Sequence, residues 1–246
     1  MNFPNTIAIL PLGAHEYHGP HLPLETDTLI AHAIAKRLQS LLTNVLEIRF
    51  LDVESVGYSI EHMRAKGTKT LSWHEAINRW IRIGAQQHQQ GIQKLLILNA
   101  HGGNSALMTI VATELRARYN MLAVTTSWTR FGLPETLLSL QEQLLDIHAG
   151  FRETSLMLAI APDQVNMDKA EDFYNQQRML EDEFTHLRAY GKHAFGWMMH
   201  DINPQGAAGN ARGANAKDGE KIISHVTKEL IDLLRDIRDF NIQHLT

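Results

Sequence analysis

The sequence has no cysteine. That excludes disulfides, thiolate metal sites and a cysteine nucleophile, so any metal must be held by His and carboxylates. Charge is sparse and nearly balanced: 20% of the 246 residues are charged and the formal net charge is −4. Nothing in that balance points to a nucleic acid or a membrane surface as partner. Long hydrophobic runs are also missing. The apolar stretch Ile7–Leu12 follows no basic segment, and it is too short for a signal peptide or a bilayer span. We find no internal repeat, no low-complexity tract and no linker rich in Pro or Ser. Hydrophobic residues make up 44% of the chain, enough for the core of one domain over residues 1–246. A cytoplasmic location is expected.

What the chain has in quantity is histidine, 14 in all. Several lie beside Glu, Asp or Gly in turn-like segments, where ligands and catalytic groups sit more often than core residues do.

Strand-length apolar runs alternate with helical patterns. Strands are predicted at Ile7–Leu12, Val45–Val53, Leu95–Leu98 and Leu122–Thr126. Helices are predicted at Thr28–Leu42, Ser72–Gln90, Ser105–Tyr119, Glu153–Ile160 and about Lys217–Phe240. This alternation is the signature of an α/β fold with a mostly parallel sheet covered on both faces. In such sheets ligand sites form in the loops beyond the carboxyl ends of strands.

Three segments meet that rule or add to it. The first, GAHEYHGPHLPLETD, spans Gly13 to Asp27 directly after the first strand. Glu16 and His18 are two apart and so share a side in extended backbone. Asp27 lies where a helix begins, with Thr26 as the expected N-cap. One imidazole and two carboxylates form a donor set suited to Zn²⁺, Mn²⁺ or Fe²⁺. The plain alternative is a solvated polar loop. In the second segment, Leu95–Leu98 runs into NAHGGN, placing His101 on the same sheet edge. Gly102 and Gly103 allow close backbone approach to a substrate, and their amides suit an oxyanion. The third segment, DIHAGFRETS, carries His148, a residue type suited to general acid–base work. It also carries Glu153, which as an isolated residue reads as a helix-dipole partner. His62 and Trp197 are candidate pocket-lining residues, His62 for its own pocket or a neighbouring subunit's. Arg152 would bind an anionic substrate group if it faces the pocket.

Taken together, LPLGAHEYHGPHLPLETD, NAHGGN and HAGFRETS resemble the creatininase (creatinine amidohydrolase) family. SIEHMRAKGT and NPQGAAGNARGANAKDGE add weaker support in the same order. The resemblance implies a three-layer α/β/α domain, a hexamer built as a trimer of dimers, and two divalent metal ions per chain, Zn²⁺ foremost with Mn²⁺ or Fe²⁺ as alternatives. It implies hydrolysis of an amide, cyclic amide or formamide C–N bond in a small molecule, or of a peptide-like bond. Glu16, His18, Asp27 and His101 match metal-ligand positions, with Asp27 as bridge. His148 matches a proton shuttle, and Glu153 matches a further ligand or catalytic group. One departure stands out: creatininases proper carry a Glu two residues after the metal-binding His, and here that position is Gly103. The HGGN form is closer to the family's formamide hydrolases and maturation peptidases. A mononuclear amidohydrolase and a non-catalytic metal-binding member of the fold are the competing readings.

Overall fold

The computed structural model describes residues 5–42, 46–134 and 137–245. Four parallel strands form the central sheet in the order β2-β1-β3-β4: β1 (Ile7–Leu12), β2 (Ile48–Phe50), β3 (Lys94–Asn99) and β4 (Leu122–Ser127). β1 pairs with β3 in register from Ile7–Lys94 to Leu12–Asn99. Strand side chains alternate between faces, and the two main core clusters follow that alternation. Ile7 and Ile9 with Leu96 and Leu98 join one cluster. Ala8, Leu10 and Leu12 with Leu95 and Ile97 join the other. Each fully buried Ile or Leu contributes roughly 1.5–3 kcal/mol.

The first face is covered by α1 (Thr26–Leu41), α5 (Phe151–Ile160) and α8 (Ala216–Asp239). α8 is held at its start by Asn215, whose side chain accepts from the Asp218 amide at 3.0 Å. The opposite face is covered by α2 (Trp73–Gln89) and α3 (Ser105–Tyr119), where Trp80 is fully buried. Ser72 and Glu75 make a reciprocal capping box at the start of α2. The result is the three-layer α/β/α arrangement with a parallel sheet that the sequence implied.

Two expectations need correction. The second strand is three residues, not nine, and Val45 lies outside the described residues. Beyond Phe50 the chain still follows β1, with Leu51 N–H donating to the Ile9 carbonyl and Glu54 N–H to that of Pro11. Those spaced bonds do not continue the ladder. Thr26 is not the cap of α1: it lies inside the first turn, and its hydroxyl donates to the Pro23 carbonyl at 2.7 Å. Patterning also left unassigned α4 (Leu140–Leu145), α6 (Gln177–Glu183), α7 (Met199–Ile202) and a short antiparallel pair, β5 (Asp172–Phe173) with β6 (Gly209–Asn210).

Candidate metal and catalytic site

Parallel strands deliver the loops that follow them to one end of the sheet. Glu16 and His18 follow β1, His101 follows β3, and Asp27 and Glu153 lie in the first turns of α1 and α5. These five residues converge. Among the described residues, Glu16, Asp27 and His101 bring candidate ligand atoms within 4.8 Å of one another, as do His18, Asp27 and Glu153. Asp27 belongs to both groups. A third grouping, Glu16, His18 and His148, shares the same space.

Backbone carbonyls orient the imidazoles. A carbonyl only accepts, so the ring nitrogen facing it carries a proton and the other ring nitrogen faces the site. His18 Nδ1 donates to the Glu16 carbonyl at 2.9 Å, leaving Nε2 3.2 Å from Asp27 Oδ1. His101 Nε2 donates to the Tyr58 carbonyl at 2.9 Å, leaving Nδ1 3.0 Å from Glu16 Oε1 and 3.4 Å from Asp27 Oδ2. His148 Nε2 donates to the Tyr17 carbonyl at 2.9 Å, leaving Nδ1 3.8 Å from Glu16 Oε1. The asparagines of NAHGGN fix the loops beneath. Asn99 Oδ1 accepts from the His101 amide at 3.2 Å, and Asn104 ties Gly13 to Tyr58 through its two side-chain termini.

The electrostatics ask for cations. Glu16 and Asp27 are buried, yet both carboxylate oxygens of Glu16 and Oδ2 of Asp27 have no hydrogen bond, although imidazole nitrogens stand at ion-pair distance. Buried anions of this kind are costly unless paired or metal-bound. Burial alone would lower His18, but Asp27, Glu153 and Glu16 outweigh it and lift the imidazole to about 10. Burial likewise opposes His101, and Glu16 and Asp27 raise it well above its ordinary range. Burial pushes Glu153 up to about 7, with Asp27 adding to the effect. Burial and neighbouring His charges hold His62 and His148 well below the usual range. Cations brought to this site would neutralise the Glu16 and Asp27 carboxylates. The residues present therefore fit divalent ions.

Other residues singled out from the sequence fall as follows. His62 lies in the same chain's site, with Nε2 3.4 Å from Glu16 Oε1. Arg152 does not face the site as an anion receptor. Its Nε donates to Asp146 Oδ2 at 2.8 Å, and Asp146 also accepts from the Phe151 amide at 2.6 Å and the Arg152 amide at 3.2 Å. Asp146 thus caps the N-terminus of α5 from outside. Trp197 packs on a small cluster with Leu180 and Met199. Gly102 and Gly103 open a 3₁₀ turn beside His101, and open space adjoins the Gly102 α-carbon.

One group was not singled out. Glu61 Oε1 lies 3.5 Å from His101 Nε2, and it occupies space that a side chain at position 103 would enter, 2.5 Å from a Cβ built there. A carboxylate from the Ser59–Thr68 stretch thus stands over Gly103. Nothing in the local sequence marks Glu61, because its approach to His101 depends on tertiary folding.

A cavity of about 110 Å³ adjoins the cluster, lined among others by Tyr17, Glu61, His62, Arg64 and His200. Larger grooves of about 480 and 400 Å³ lie against α1 and α8 and against α2, and neither includes a residue of the cluster.

The family profile described as creatinine amidohydrolase (creatininase) matches residues 3–234. The chain belongs to the creatininase family. It is 28% identical over 229 residues to the mycofactocin precursor peptide peptidase of Mycobacterium ulcerans, covering 91% of this chain and 82% of that one. It is 28% identical over 184 residues to the creatinine amidohydrolase of Pseudomonas putida, covering 68% of each. A zinc–zinc form of a creatininase variant superposes with a TM-score of 0.75 at 23% identity, over 96% of this chain and 92% of that one. That likeness confirms the α/β fold.

Proposed function

We propose that this creatininase-family chain is a metal-dependent hydrolase of an amide-type C–N bond, acting at a dinuclear site. One observation carries the reading: two ligand groups share buried Asp27, and both carboxylate oxygens of buried Glu16 and Oδ2 of Asp27 have no hydrogen-bond partner. Glu16, Asp27 and His101 would hold one ion, and His18, Asp27 and Glu153 the other. The relatives named above as an amidohydrolase and a peptidase support the bond type. The oxygen and imidazole donor set suits Zn²⁺ foremost, then Mn²⁺ or Fe²⁺.

Bound ions at such a site supply Lewis acidity and make water a stronger acid. The chain's own residues do the rest. His148 is fixed through Nε2, and its Nδ1 is assigned to carry a proton to the leaving nitrogen. The Gly102 backbone, beside which there is open space, is assigned to the carbonyl side of the substrate. His62 borders both the cluster and the cavity, with Nε2 3.4 Å from Glu16 Oε1.

The test strips metal and assays formate, amine or acid release from creatinine, N-formyl amino acids and short peptides, then adds back Zn²⁺ or Mn²⁺. Turnover that appears only with metal is expected. Full turnover in the stripped protein would sink the proposal. A one-ion reading is favoured by the Glu16–His18–His148 grouping, and it predicts a single ion per chain.

A further inference from the structure

The cavity beside the cluster has a chemistry of its own. Its volume of about 110 Å³ equals only three to four water volumes at roughly 30 Å³ each. Drug-sized ligands need roughly 300–1,000 Å³, so the group that enters here is small. Four lining residues, Glu61, His62, Arg64 and Ala65, come from one short stretch. Glu61 and His62 form a 3₁₀ turn, and Arg64 follows two residues later. His62 joins the cavity to the cluster, since its Nε2 reaches Glu16 while its buried Nδ1 has no hydrogen-bond partner. Glu61 presents a carboxylate held in place over Gly103, with Oε1 3.5 Å from His101 Nε2. Among the described residues Arg64 makes no hydrogen bond or ion pair, whereas the cavity's His200 is engaged with Asp201 at 3.3 Å. One wall thus accepts N–H groups and the other offers a cation seeking an anion.

We propose that this cavity is the leaving-group subsite and that the leaving group is a small amine carrying a carboxylate, such as an α-amino acid. Its nitrogen faces Glu61 and His62, and its carboxylate pairs with Arg64, where a guanidinium fork matches carboxylate geometry. The inference rests on the hydrolase reading above. In the reaction the amide C–N bond breaks and a C–O bond forms to the oxygen of one water. Both water hydrogens end on the nitrogen, giving a carboxylate and an ammonium product. The product amino acid is then held by the same three residues.

The test compares N-formylglycine with N-formylglycinamide, which differ only in that the carboxylate becomes a neutral amide. Formate release is followed on the zinc-loaded full chain. The expected kcat/KM ratio favours N-formylglycine at least tenfold, and the ratio collapses toward unity in Arg64→Met. Glu61→Gln lowers kcat/KM for both compounds at least tenfold while zinc content, read by mass spectrometry, stays at the wild-type level. Free glycine inhibits the wild-type protein competitively and Arg64→Met at least tenfold less well. A ratio of one or below in the wild-type protein overturns the inference and leaves the hydrolase reading standing. So does a ratio that Arg64→Met does not change. If neither compound turns over, the hydrolase reading fails for formamides, and calorimetric titration with glycine decides the subsite. Binding weakened tenfold by Arg64→Met supports it; no binding to the zinc-loaded wild-type protein removes it.

Discussion

Glu16 and His101 reach the cluster from the ends of β1 and β3, adjacent strands that pair from Ile7–Lys94 to Leu12–Asn99. Glu153 reaches it from α5, which packs on α8 and α1 and owes its N-terminal geometry to Asp146. The two groups share Asp27 on α1 and draw Glu16 and His18 from the same loop after β1, so they differ in the third member: His101 is placed by sheet hydrogen bonding in the first group and Glu153 by helix docking in the second. Sheet register is discrete, because a one-residue slip would turn every side chain over. A docked helix can shift by fractions of an ångström. The first group should tolerate perturbation of α5, and the second should not.

Asp27 belongs to both groups, so its loss erases the contrast. Asp27→Asn should remove both ions and reduce turnover by more than the roughly 10–100-fold typical of residues behind a ligand. Metal content and kcat, measured together, check this. Glu153→Gln separates the groups. One ion should remain with Glu16, Asp27 and His101, and the other should be lost. Equal loss of both ions would show that the groups are not independent.

Gly219 offers a milder route to the same comparison. A Cβ there would lie 1.9 Å from the Ser155 carbonyl oxygen in α5. Gly219→Ala should cost about 1–3 kcal/mol through overpacking, read in thermal melts. It should weaken zinc binding at the second group and spare the first.

The smallest effect is that of pH. His18 is raised to about 10 in the ion-free fold, above its unfolded value of about 6.5. Its protonation therefore stabilises the ion-free protein fully below about 6.5, and that contribution is lost as pH rises through 10. Zinc needs the neutral imidazole, so its stabilisation grows with pH over the same range. The gain in Tm on adding zinc should widen between pH 6.5 and 9. A gain that narrows would contradict the assignment of His18 as a ligand.

The sequence made the sheet-placed group readable, since a buried strand followed by a His- and Glu-bearing loop points to one edge. Four of the ligand candidates, Glu16, His18, Asp27 and His101, needed only that rule. Glu153 was not readable from its own residues, because a Glu in a first helical turn is ordinary; the family resemblance supplied it. Glu61 escaped because nothing local marks it. It matters only once the 59–68 loop folds across Gly103. Arg152 looked available to an anion in sequence, but Asp146 six residues earlier takes it up. The short second strand was overestimated because a hydrophobic run reports burial, not ladder pairing.

The most direct test of the account is a crystal structure of the zinc-loaded protein with ions located by anomalous scattering. Two peaks are predicted, one among Glu16, Asp27 and His101 and one among His18, Asp27 and Glu153, with Asp27 touching both. A single peak, or one centred on Glu16, His18 and His148, would contradict it.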